Sequence, residues 1–508
     1  MGQRFVGPVL VLSSSILFGC CQNARGTDEK PAAVSRRSLP AADLQRWYGK
    51  ELDLKGDETL AQRVQEAERL LDDLFDSQET PARTKLVERV LGLSLPPQVL
   101  RAVVKCGHVP VGEARGEGYV QGQAAVPGFP GKQMAVTVRI PRGYTHDRPW
   151  PLIIDLHGSH GNGNNYIKHW ENGVKPGALD QFLIVAPTSD GAHGWGASSF
   201  GRAHVLGALR WAERQYRVDA DRVYLSGGSM GGSGAKIAAV LHPDWFAAAV
   251  SRSGSPLPAV DTATYRNLHA LPFLVLSGDQ DHGIPVALLK QEQEALAQAH
   301  LPARVEIMPG RGHEGFDERN GEILEYFLKQ SRERCPAKLD YVSLEEGPPP
   351  RHYWIEAARF ISAGNAPVTK YVLDAGRTKD PLFEKLQAAK ALAEHQALAQ
   401  EALRTGLILE EKKAWSRPRE VTLTADRATN TITIEKARFV WELRILLDDE
   451  LLDLDRPIAV KQGGTTLLKR AVARAPRFLL EEALRSGRRD MPWWGQVTVT
   501  PQNTPGAN

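Results

Sequence analysis

Hydrophobic and polar positions in the middle of the chain follow two alternating patterns. From about Tyr119 onward, short apolar runs each end at a glycine or another turn residue, as in PLIIDLHG (151–158), FLIVAP (182–187), RVYLSG (222–227) and FLVLSG (273–278). Stretches of helical type, such as GRAHVLGALRWAERQY (201–216), separate several of these runs. Buried strands that alternate with helices predict an α/β fold with a mostly parallel sheet flanked by helices. In such sheets the functional groups lie at the carboxyl ends of the strands.

The pattern before residue 119 is helical. Asp57 is suited to cap a helix whose apolar residues recur on one face, and a second helix is predicted after Thr80 as cap, with Pro81 in its first turn and Gly92 at its end. We expect residues 23–118 to form a polar tether and a helical region that packs as a cap on the next domain. An independent helical interaction module is the alternative.

The pattern of apolar and polar residues changes again after Cys335. The boundary sequence EEGPPPRHYW (345–354) precedes one long predicted helix over residues 380–406, and short strands follow with hairpin turns at RATN (427–430) and QGG (462–464). We therefore predict a catalytic domain over residues 119–335 and a β-rich accessory domain with one long helix over residues 336–508.

The first 22 residues have the features of an export signal. Arg4 precedes an apolar stretch from Phe5 to Phe18, which is too short to span a membrane and fits a signal peptide. The sequence LFGC (17–20) also resembles the bacterial lipoprotein box, in which Cys20 would be lipidated and attach the protein to a membrane. We expect an exported protein that is periplasmic, membrane-anchored or secreted, with ordinary cleavage as the alternative to lipidation.

Composition narrows the classes of partner. The 63 basic and 60 acidic residues give a formal net charge of only +3, which offers no reason to expect a nucleic acid as partner. A chain of 508 residues exceeds one compact core, so several domains are expected. Beyond the signal region only Cys106 and Cys335 remain, and the sequence leaves open whether they form a disulfide or stay two thiols. No metal motif and no cofactor motif stands out, and the oligomeric state is left open.

The most informative motif is Gly227-Gly228-Ser229-Met230-Gly231, which follows a predicted strand and opens a predicted helix. It satisfies GxSxG, the pattern of a nucleophile elbow, in which a sharp and strained turn lifts the serine hydroxyl out of the sheet. A phosphate-binding loop would need a lysine followed by serine or threonine, and the dinucleotide pattern GxGxxG is absent.

A serine nucleophile requires a base, and the base requires a carboxylate to orient it. Downstream, SGDQDHG (277–283) ends a predicted strand and offers Asp279 and Asp281, while GRGHEG (310–315) ends another and offers His313. His282 directly follows Asp281 and could hardly bridge that acid to Ser229.

The oxyanion of a tetrahedral intermediate also needs donors. The loop HGSHGNGNN (157–165) is expected to supply the backbone N–H of Ser159, which would act with the N–H of Met230. His157 and His160 lack a third ligand at useful spacing, so we expect no metal there. GAHGWGASS (191–199) is expected to line the pocket with His193 and Trp195.

Taken together, residues 119–332 resemble an α/β-hydrolase of the secreted esterase group that includes polyhydroxybutyrate depolymerases, feruloyl and acetyl xylan esterases and the catalytic domain of prolyl oligopeptidases. The likeness rests on five stretches: WPLIIDLHG, YRVDADRVYLSGGSMGG, HPDWFAAAVSRSG, SGDQD and GRGHEG. The resemblance implies the chain order serine, acid, histidine and favours Asp281 over Asp279 as the acid. Gly228 departs from the family, which often carries His, Leu or Trp there, and we expect a more open site at this position.

These observations predict an exported serine hydrolase that cleaves small-molecule or polymer esters through an acyl-enzyme, with Ser229, His313 and Asp281 as the triad. One alternative is a serine peptidase of prolyl oligopeptidase type, although residues 23–118 are too few and too helical for the propeller usual there. Another is an inactive glycan-binding lipoprotein that uses Trp493 and Trp494 as a platform. Adjacent strand residues point to opposite faces, so at most one of the two tryptophans would face a ligand while the other packs in the core, and structural roles for both are the favoured interpretation.

Overall fold

In a computed structural model of the protein, the described residues are 9–12, 48, 52, 54, 56–77, 79–106, 117–189, 194–196, 198–257, 259–345, 351–360, 367–374, 377, 380–389 and 392–503. Most of residues 1–22, including Cys20, lie outside this set, as does His193. Val9–Leu12 forms a short strand, β1.

Three helices precede the central sheet: α1 (Glu58–Asp76), α2 (Thr80–Gly92) and α3 (Pro97–Cys106). The predicted cap of α1 is confirmed, because the Asp57 carboxylate accepts a hydrogen bond from the N–H of Leu60 at 2.9 Å. The predicted cap of α2 is wrong by one residue. Thr80 is already helical, and Glu79 occupies the cap position without a side-chain hydrogen bond to the helix.

The predicted α/β fold is confirmed by an eight-stranded sheet in the middle of the chain. Its strands are β2 (Gly118–Ala125), β3 (Gln133–Ile140), β4 (Trp150–Leu156), β5 (Leu183–Pro187), β6 (Val218–Gly228), β7 (Ala248–Arg252), β8 (Phe273–Gly278) and β9 (Ala303–Met308). They lie in the order β2-β3-β5-β4-β6-β7-β8-β9. β2 and β3 are antiparallel to their neighbours, and the other six strands are parallel. The carboxyl ends of β4 to β9 therefore meet at one edge.

Helices cover both faces of this sheet. They are α4 (Gly163–Tyr166), α5 (Ser199–Gln215), α6 (Met230–Leu241), α7 (Val286–Gln298) and α8 (Asn320–Leu328). Residues alternate between two apolar cores along each strand, so that Leu152 and Ile154 of β4 face one core and Ile153 faces the other. This alternation explains why β4 reads as a nearly continuous apolar run, since a parallel strand is buried on both faces.

The region after residue 335 contains two further sheets. Its strands are β10 (Lys338–Glu345), β11 (Ile355–Phe360), β12 (Pro367–Leu373), β13 (Ile408–Asp426), β14 (Thr431–Arg438), β15 (Val440–Leu447), β16 (Ile458–Gln462), β17 (Thr465–Arg470) and β18 (Gly495–Val499). One sheet is β11-β15-β18, and the other has the order β1-β12-β13-β14-β16-β17 with β10 beside β13. The RATN sequence joins β13 to β14 and the two glycines of QGG join β16 to β17, as predicted.

The single helix expected over residues 380–406 is instead two, α9 (Pro381–Ala388) and α10 (Leu392–Arg404), and a third helix, α11 (Pro476–Ser486), follows later. The helix ends at Ala389, whose backbone is extended. The break lets the apolar side chains of both helices join one small core with strand β12, made up of Tyr371, Leu373, Phe383, Leu386, Ala399, Ala402, Leu407 and Ile408.

The N-terminal helices share their hydrophobic core with the C-terminal region. Leu70, Leu74 and Val103 belong to the same buried cluster as Leu443 and Trp493. Charged pairs reinforce this contact, including Arg101 with Asp448 at 3.0 Å and Arg489 with Asp72 at 2.9 Å. The sequence suggested a cap on the following domain, whereas the neighbour in this core is the far end of the chain.

Cys106 and Cys335 are two thiols and not a disulfide in the structure, which answers the question that the sequence left open. Both are partly buried against the core shared by the N-terminal and C-terminal regions. Burial raises the pKa of the Cys335 thiol far above its ordinary value, so this group is held as an inert thiol.

Candidate active site

Ser229 stands between the end of β6 and the start of α6 in a strained conformation. Its backbone angles are φ 56° and ψ −118°, in a region that residues other than glycine rarely adopt. A Cβ atom at Gly227 would lie 2.3 Å from the carbonyl oxygen of Gly231, and one at Gly231 would lie 1.9 Å from that of Leu156. Both framing positions therefore require glycine, which is the physical basis of the GxSxG spacing.

Three of the predicted site residues form one hydrogen-bonded chain. The Nε2 atom of His313 lies 2.8 Å from the Ser229 Oγ atom. Its Nδ1 atom lies 2.8 Å from the Oδ2 atom of Asp281. An ionised carboxylate only accepts hydrogen bonds, so it fixes the proton of His313 on Nδ1 and leaves Nε2 to accept from the serine hydroxyl. The structure thus brings the side chains predicted as nucleophile, base and orienting acid into one chain of contacts.

Asp281 is held rigidly at the end of β8. Its side chain has no exposed surface. The Oδ1 atom accepts hydrogen bonds from the N–H groups of Gly283 at 2.8 Å and Ile284 at 3.0 Å. These bonds leave Oδ2 directed at His313 and compensate the burial of a charged group.

The rival side chains have other positions. The Oδ1 atom of Asp279 accepts a hydrogen bond from the N–H of Gly310 at 2.7 Å, which ties the β8 turn to the β9 turn. His282 is exposed to solvent.

The loop after β4 lies directly against the elbow. A Cβ atom at Gly158 would lie 3.2 Å from the Ser229 Cβ atom and 3.8 Å from its Oγ atom. Ser159 follows Gly158 in this loop, and Met230, the first residue of α6, directly follows Ser229 in the sequence. The adjoining His160 has a φ of 64°, which turns the loop sharply.

The ring of His157 is held inside the fold by contacts at both nitrogen atoms. Its Nδ1 atom lies 2.7 Å from the Gly158 carbonyl oxygen, and its Nε2 atom accepts a hydrogen bond from the N–H of Ser189 at 3.1 Å. Burial lowers the pKa of its imidazole, so it stays neutral. The indole N–H of Trp195, expected in the pocket, donates to the His157 carbonyl oxygen at 2.8 Å from a buried position. Within the described ranges, no group of three or more His, Cys, Asp or Glu side chains could hold a metal ion.

The expected opening at Gly228 is wrong, because a side chain from elsewhere fills the space. A Cβ atom at Gly228 would lie 2.4 Å from the hydroxyl oxygen of Tyr166. Burial raises the pKa of this phenol well above its ordinary value. Sequence reasoning missed Tyr166, since it belongs to the short helix α4, more than 60 positions before the motif, and no local pattern marks it.

A buried polar cluster lies beneath the same face of the elbow. The carbonyl oxygen of Arg252 accepts a hydrogen bond from the N–H of Ser229 at 2.8 Å. The guanidinium of Arg252 lies 3.0 Å from the Nδ1 atom of His169, which also contacts Asp155 through its Nε2 atom at 3.0 Å. The elbow therefore rests on a charged network, which the sequence did not reveal.

The aromatic pair proposed as a glycan platform is buried. Trp493 and Trp494 retain only 2% and 1% of their exposed surface and pack into the core shared with the N-terminal helices. Both tryptophans are structural, as the sequence interpretation favoured, although they precede β18 and do not lie on a strand. Their burial removes the argument for a glycan-binding surface at this position.

Comparison with known proteins supports the same kind of domain. Residues 129–270 match the Esterase family, described as "Putative esterase". The curated protein "Putative esterase NocK" from Nocardia uniformis subsp. tsuyamanensis is 34% identical over 145 residues, which make up 26% of this chain and 40% of that protein. The chain therefore spans less than half the length of this relative.

Solved structures of esterases also align with a part of the chain. A thermostable esterase aligns with a TM-score of 0.36 and 22% identity, over 42% of this chain and 63% of the other. A ferulic acid esterase aligns with a TM-score of 0.35 and 19% identity, over 42% of this chain and 98% of the other. The eight-stranded sheet, the glycine-framed elbow and the match of residues 129–270 to the Esterase family make this part of the chain similar to the α/β-hydrolase esterases.

Proposed function

We propose that this protein is a serine hydrolase that cleaves carboxylic esters through an acyl-enzyme. The observation that carries the proposal is the chain of two 2.8 Å contacts from Ser229 through His313 to Asp281, built on a strained elbow. Strain at a residue other than glycine persists only where the surrounding fold enforces it, and such positions concentrate at functional sites. The match to the Esterase family over residues 129–270 supports an ester as the substrate class.

The proposed reaction proceeds in two halves with the same groups. His313 Nε2 takes the hydroxyl proton as Ser229 Oγ attacks the ester carbonyl carbon, and the imidazolium then gives this proton to the leaving alkoxide. Water enters, loses a proton to Nε2 and attacks the acyl carbon. The second collapse releases the carboxylic acid and returns the proton to Ser229. Asp281 stabilises the imidazolium in both halves without accepting the proton.

Negative charge on the carbonyl oxygen is proposed to be met by the N–H groups of Ser159 and Met230. The packing of Gly158 against Ser229 supports this assignment, because it brings the β4 loop to the side of the nucleophile. The positive end of the α6 dipole lies at the same place and favours an oxyanion there.

Initial rates on two substrate families test the reaction class. We expect hydrolysis of p-nitrophenyl acetate and butyrate, with dipeptide p-nitroanilides cleaved far more slowly. Ser229→Ala should reduce ester turnover to background. A Ser229→Ala protein that keeps the parent rate would refute the assignment, and faster cleavage of the anilides than of the esters would make the protein a peptidase instead.

We also propose export, with lipid attachment at Cys20. Support comes from the apolar segment 5–18 and the LFGC sequence alone, and cleavage before Cys20 would remove strand β1 from its place beside β12. In the described part of the chain, no helix is long and apolar enough to cross a membrane. A mobility shift that is sensitive to globomycin and lost in Cys20→Ala is expected; an unshifted protein would contradict lipidation.

A further inference from the structure

A pocket opens at the carboxyl edge of the central sheet, beside the candidate active site. Its volume is about 560 Å³, within the range typical of small-molecule sites. Its walls come from three places: the turn and strand around β3, the residues that follow β5, and the first turns of α5. The residues that matter for its chemistry are Phe129, Lys132, Met134, Ser189, Phe200 and His204.

Direct contacts connect this pocket to the nucleophile. Ser189 in the pocket wall donates its N–H to His157 Nε2, and His157 Nδ1 contacts the carbonyl oxygen of Gly158. Gly158 packs against Ser229. The pocket therefore lies one loop away from the reacting atoms, on the side where the oxyanion donors are proposed.

The walls are aromatic. The rings of Phe129 and Phe200 meet edge to face with centroids 4.9 Å apart, and Phe200 meets His204 at 4.7 Å in the same arrangement. Such walls favour an apolar group, and Lys132 places one charged side chain at the lining. A space of this volume far exceeds what an acetyl group would fill.

A residue of the accessory region fixes the position of one wall of the pocket. The carboxylate of Glu410, on β13, accepts hydrogen bonds from the N–H of Ser199 at 2.7 Å and from its hydroxyl at 2.6 Å. A carboxylate is stabilised at a helix N-terminus, and here it anchors the first turn of α5. Phe200 is the next residue, so the position of the aromatic wall depends on a contact across domains.

We propose that this pocket receives an extended apolar group of the ester and that Glu410 of the accessory region keeps the pocket in shape. The inference rests on the proposed esterase function and deepens it. It assigns a substrate class, esters with a large apolar group on one side of the scissile bond, and it gives the C-terminal region a part in substrate selection.

Two ester series test the subsite and show which side of the bond enters it. One series lengthens the acyl chain from p-nitrophenyl acetate to octanoate, and the other lengthens the alcohol from ethyl to octyl butyrate. In one series kcat/KM should rise on the order of 10- to 100-fold, as expected when several methylene groups become buried. Phe200→Ala should abolish most of this rise.

Matched variants distinguish a specific loss of the subsite from a general loss of folding or activity. Glu410→Ala should also flatten the chain-length preference, whereas Glu411→Ala, an exposed carboxylate on the same strand, should not. Phe200→Leu keeps an apolar wall and should retain part of the preference. A parent protein that hydrolyses p-nitrophenyl acetate but shows no chain-length preference in either series would overturn the proposed subsite. The proposed esterase activity would be unaffected by that result. A parent inert toward every ester would overturn both.

A second inference rests on an independent feature at the end of β7. Ser253 is buried and has a φ of 44°, a strained value for serine. Its hydroxyl donates to the carbonyl oxygen of Glu314 at 2.9 Å and accepts from the N–H of the same residue at 3.3 Å. Glu314 directly follows His313, so this hydroxyl clamps the backbone of the loop that carries the base.

We infer that Ser253 is a positioning residue for His313. Small displacements of a catalytic group can cost on the order of 100-fold in rate, so Ser253→Ala should lower kcat by about 10- to 100-fold with KM little changed. Ser277→Ala is the matched control, because Ser277 is equally buried at the end of the neighbouring strand and its hydroxyl has no partner among the described residues. It should keep the parent kcat.

A glycine variant isolates the hydroxyl from the backbone strain. Ser253→Gly adopts the left-handed conformation at little cost but lacks the hydroxyl. We expect it to be as slow as Ser253→Ala. If Ser253→Gly restores the parent kcat, the backbone conformation alone matters and the positioning role is wrong.

Discussion

At the scale of single residues, the nucleophile motif is completed by a side chain from another part of the chain. Gly228 carries no side chain, and the Tyr166 hydroxyl occupies the space that one would take. This oxygen is buried and has no hydrogen-bond partner within the described ranges. A buried hydroxyl without a partner costs stability, so Tyr166 is retained at this position at some energetic expense.

The close approach of Gly228 and Tyr166 can be tested by substitution. Gly228→Ala should cost about 1–3 kcal/mol in unfolding free energy through overpacking, because its Cβ atom would lie 2.4 Å from the Tyr166 oxygen. Adding Tyr166→Phe removes that oxygen and leaves the ring carbon at 3.4 Å, an ordinary contact, so the double variant should recover most of the loss. Urea unfolding measures the unfolding free energy of the single and the double variant. A double variant no more stable than Gly228→Ala would show that the clash lies elsewhere.

The sequence alone pointed to Ser229, Asp281 and His313, which the structure places in one chain of contacts, because each stands in a short motif at the end of a strand whose apolar run is easily recognised. It could not select Tyr166, Ser253 or Glu410, since their contacts join positions that are 60 or more residues apart. Such pairs leave no local periodicity, and only the folded chain brings them together.

At the scale of elements, helix α6 is held by a buried ion pair as well as by its apolar face. The ammonium group of Lys236 donates to the Glu292 carboxylate of α7 at 2.6 Å and to the Gly254 carbonyl oxygen at 3.0 Å. Neither charged side chain has exposed surface. The helix that begins beside the nucleophile is therefore locked to α7 and to the loop after β7.

Breaking this pair should be costly. Lys236→Met leaves the buried Glu292 carboxylate with the hydrogen bond from the Tyr265 hydroxyl but without its positively charged partner, and we expect a loss of about 3–5 kcal/mol in unfolding free energy. Lys236→Met combined with Glu292→Leu should recover a large part of that loss, because no buried charge remains. Lys290→Met, on the exposed side of α7, serves as control and should change stability by less than about 0.5 kcal/mol. Equal losses in both lysine variants would contradict the account.

Element predictions from the sequence were strongest where a turn closes an apolar run, as at the ends of β4 to β9. They failed for residues 380–406, where continuous helix propensity predicts one helix. Packing of α9 and α10 in one small core overrides that propensity. Tertiary contacts decide the break, and they are not encoded in the local pattern.

At the scale of the whole molecule, the two ends of the chain share a hydrophobic core, and a carboxyl group lies where three regions meet. Glu68 of α1 accepts a hydrogen bond from the Tyr48 hydroxyl at 2.6 Å. Burial raises its pKa to about 7, against the opposing influence of Arg217 and Arg489. These two arginines belong to the hydrolase domain and to the C-terminal region.

This raised pKa predicts a pH-dependent stability. Unfolded, the carboxyl has a pKa of about 4.3, so between about pH 4.3 and 7 the folded state binds more protons than the unfolded state. Stability must then fall as pH rises through this window. Between pH 5 and 8 the parent should lose on the order of 2 kcal/mol more than Glu68→Gln. Glu325→Gln, an exposed control, should behave like the parent. Identical pH profiles for parent and Glu68→Gln would contradict the assignment.

The sequence could not predict that the N-terminal helices and the C-terminal region share one hydrophobic core. Each N-terminal helix has an apolar face, but nothing in its spacing states whether the partner is the adjacent domain or strands more than 300 residues away. The pairing depends on shape and volume across the core, which single-sequence patterns do not report.

The most direct test of the central claim is intact-mass measurement after exposure to a fluorophosphonate probe. The account predicts one adduct on the parent, none on Ser229→Ala and strongly slowed labelling of His313→Ala. His282→Ala and Asp279→Asn, which alter the rival side chains, should be labelled at the parent rate. Labelling of Ser229→Ala at the parent rate, or a folded parent that never reacts, would contradict the conclusion that Ser229 is an activated nucleophile.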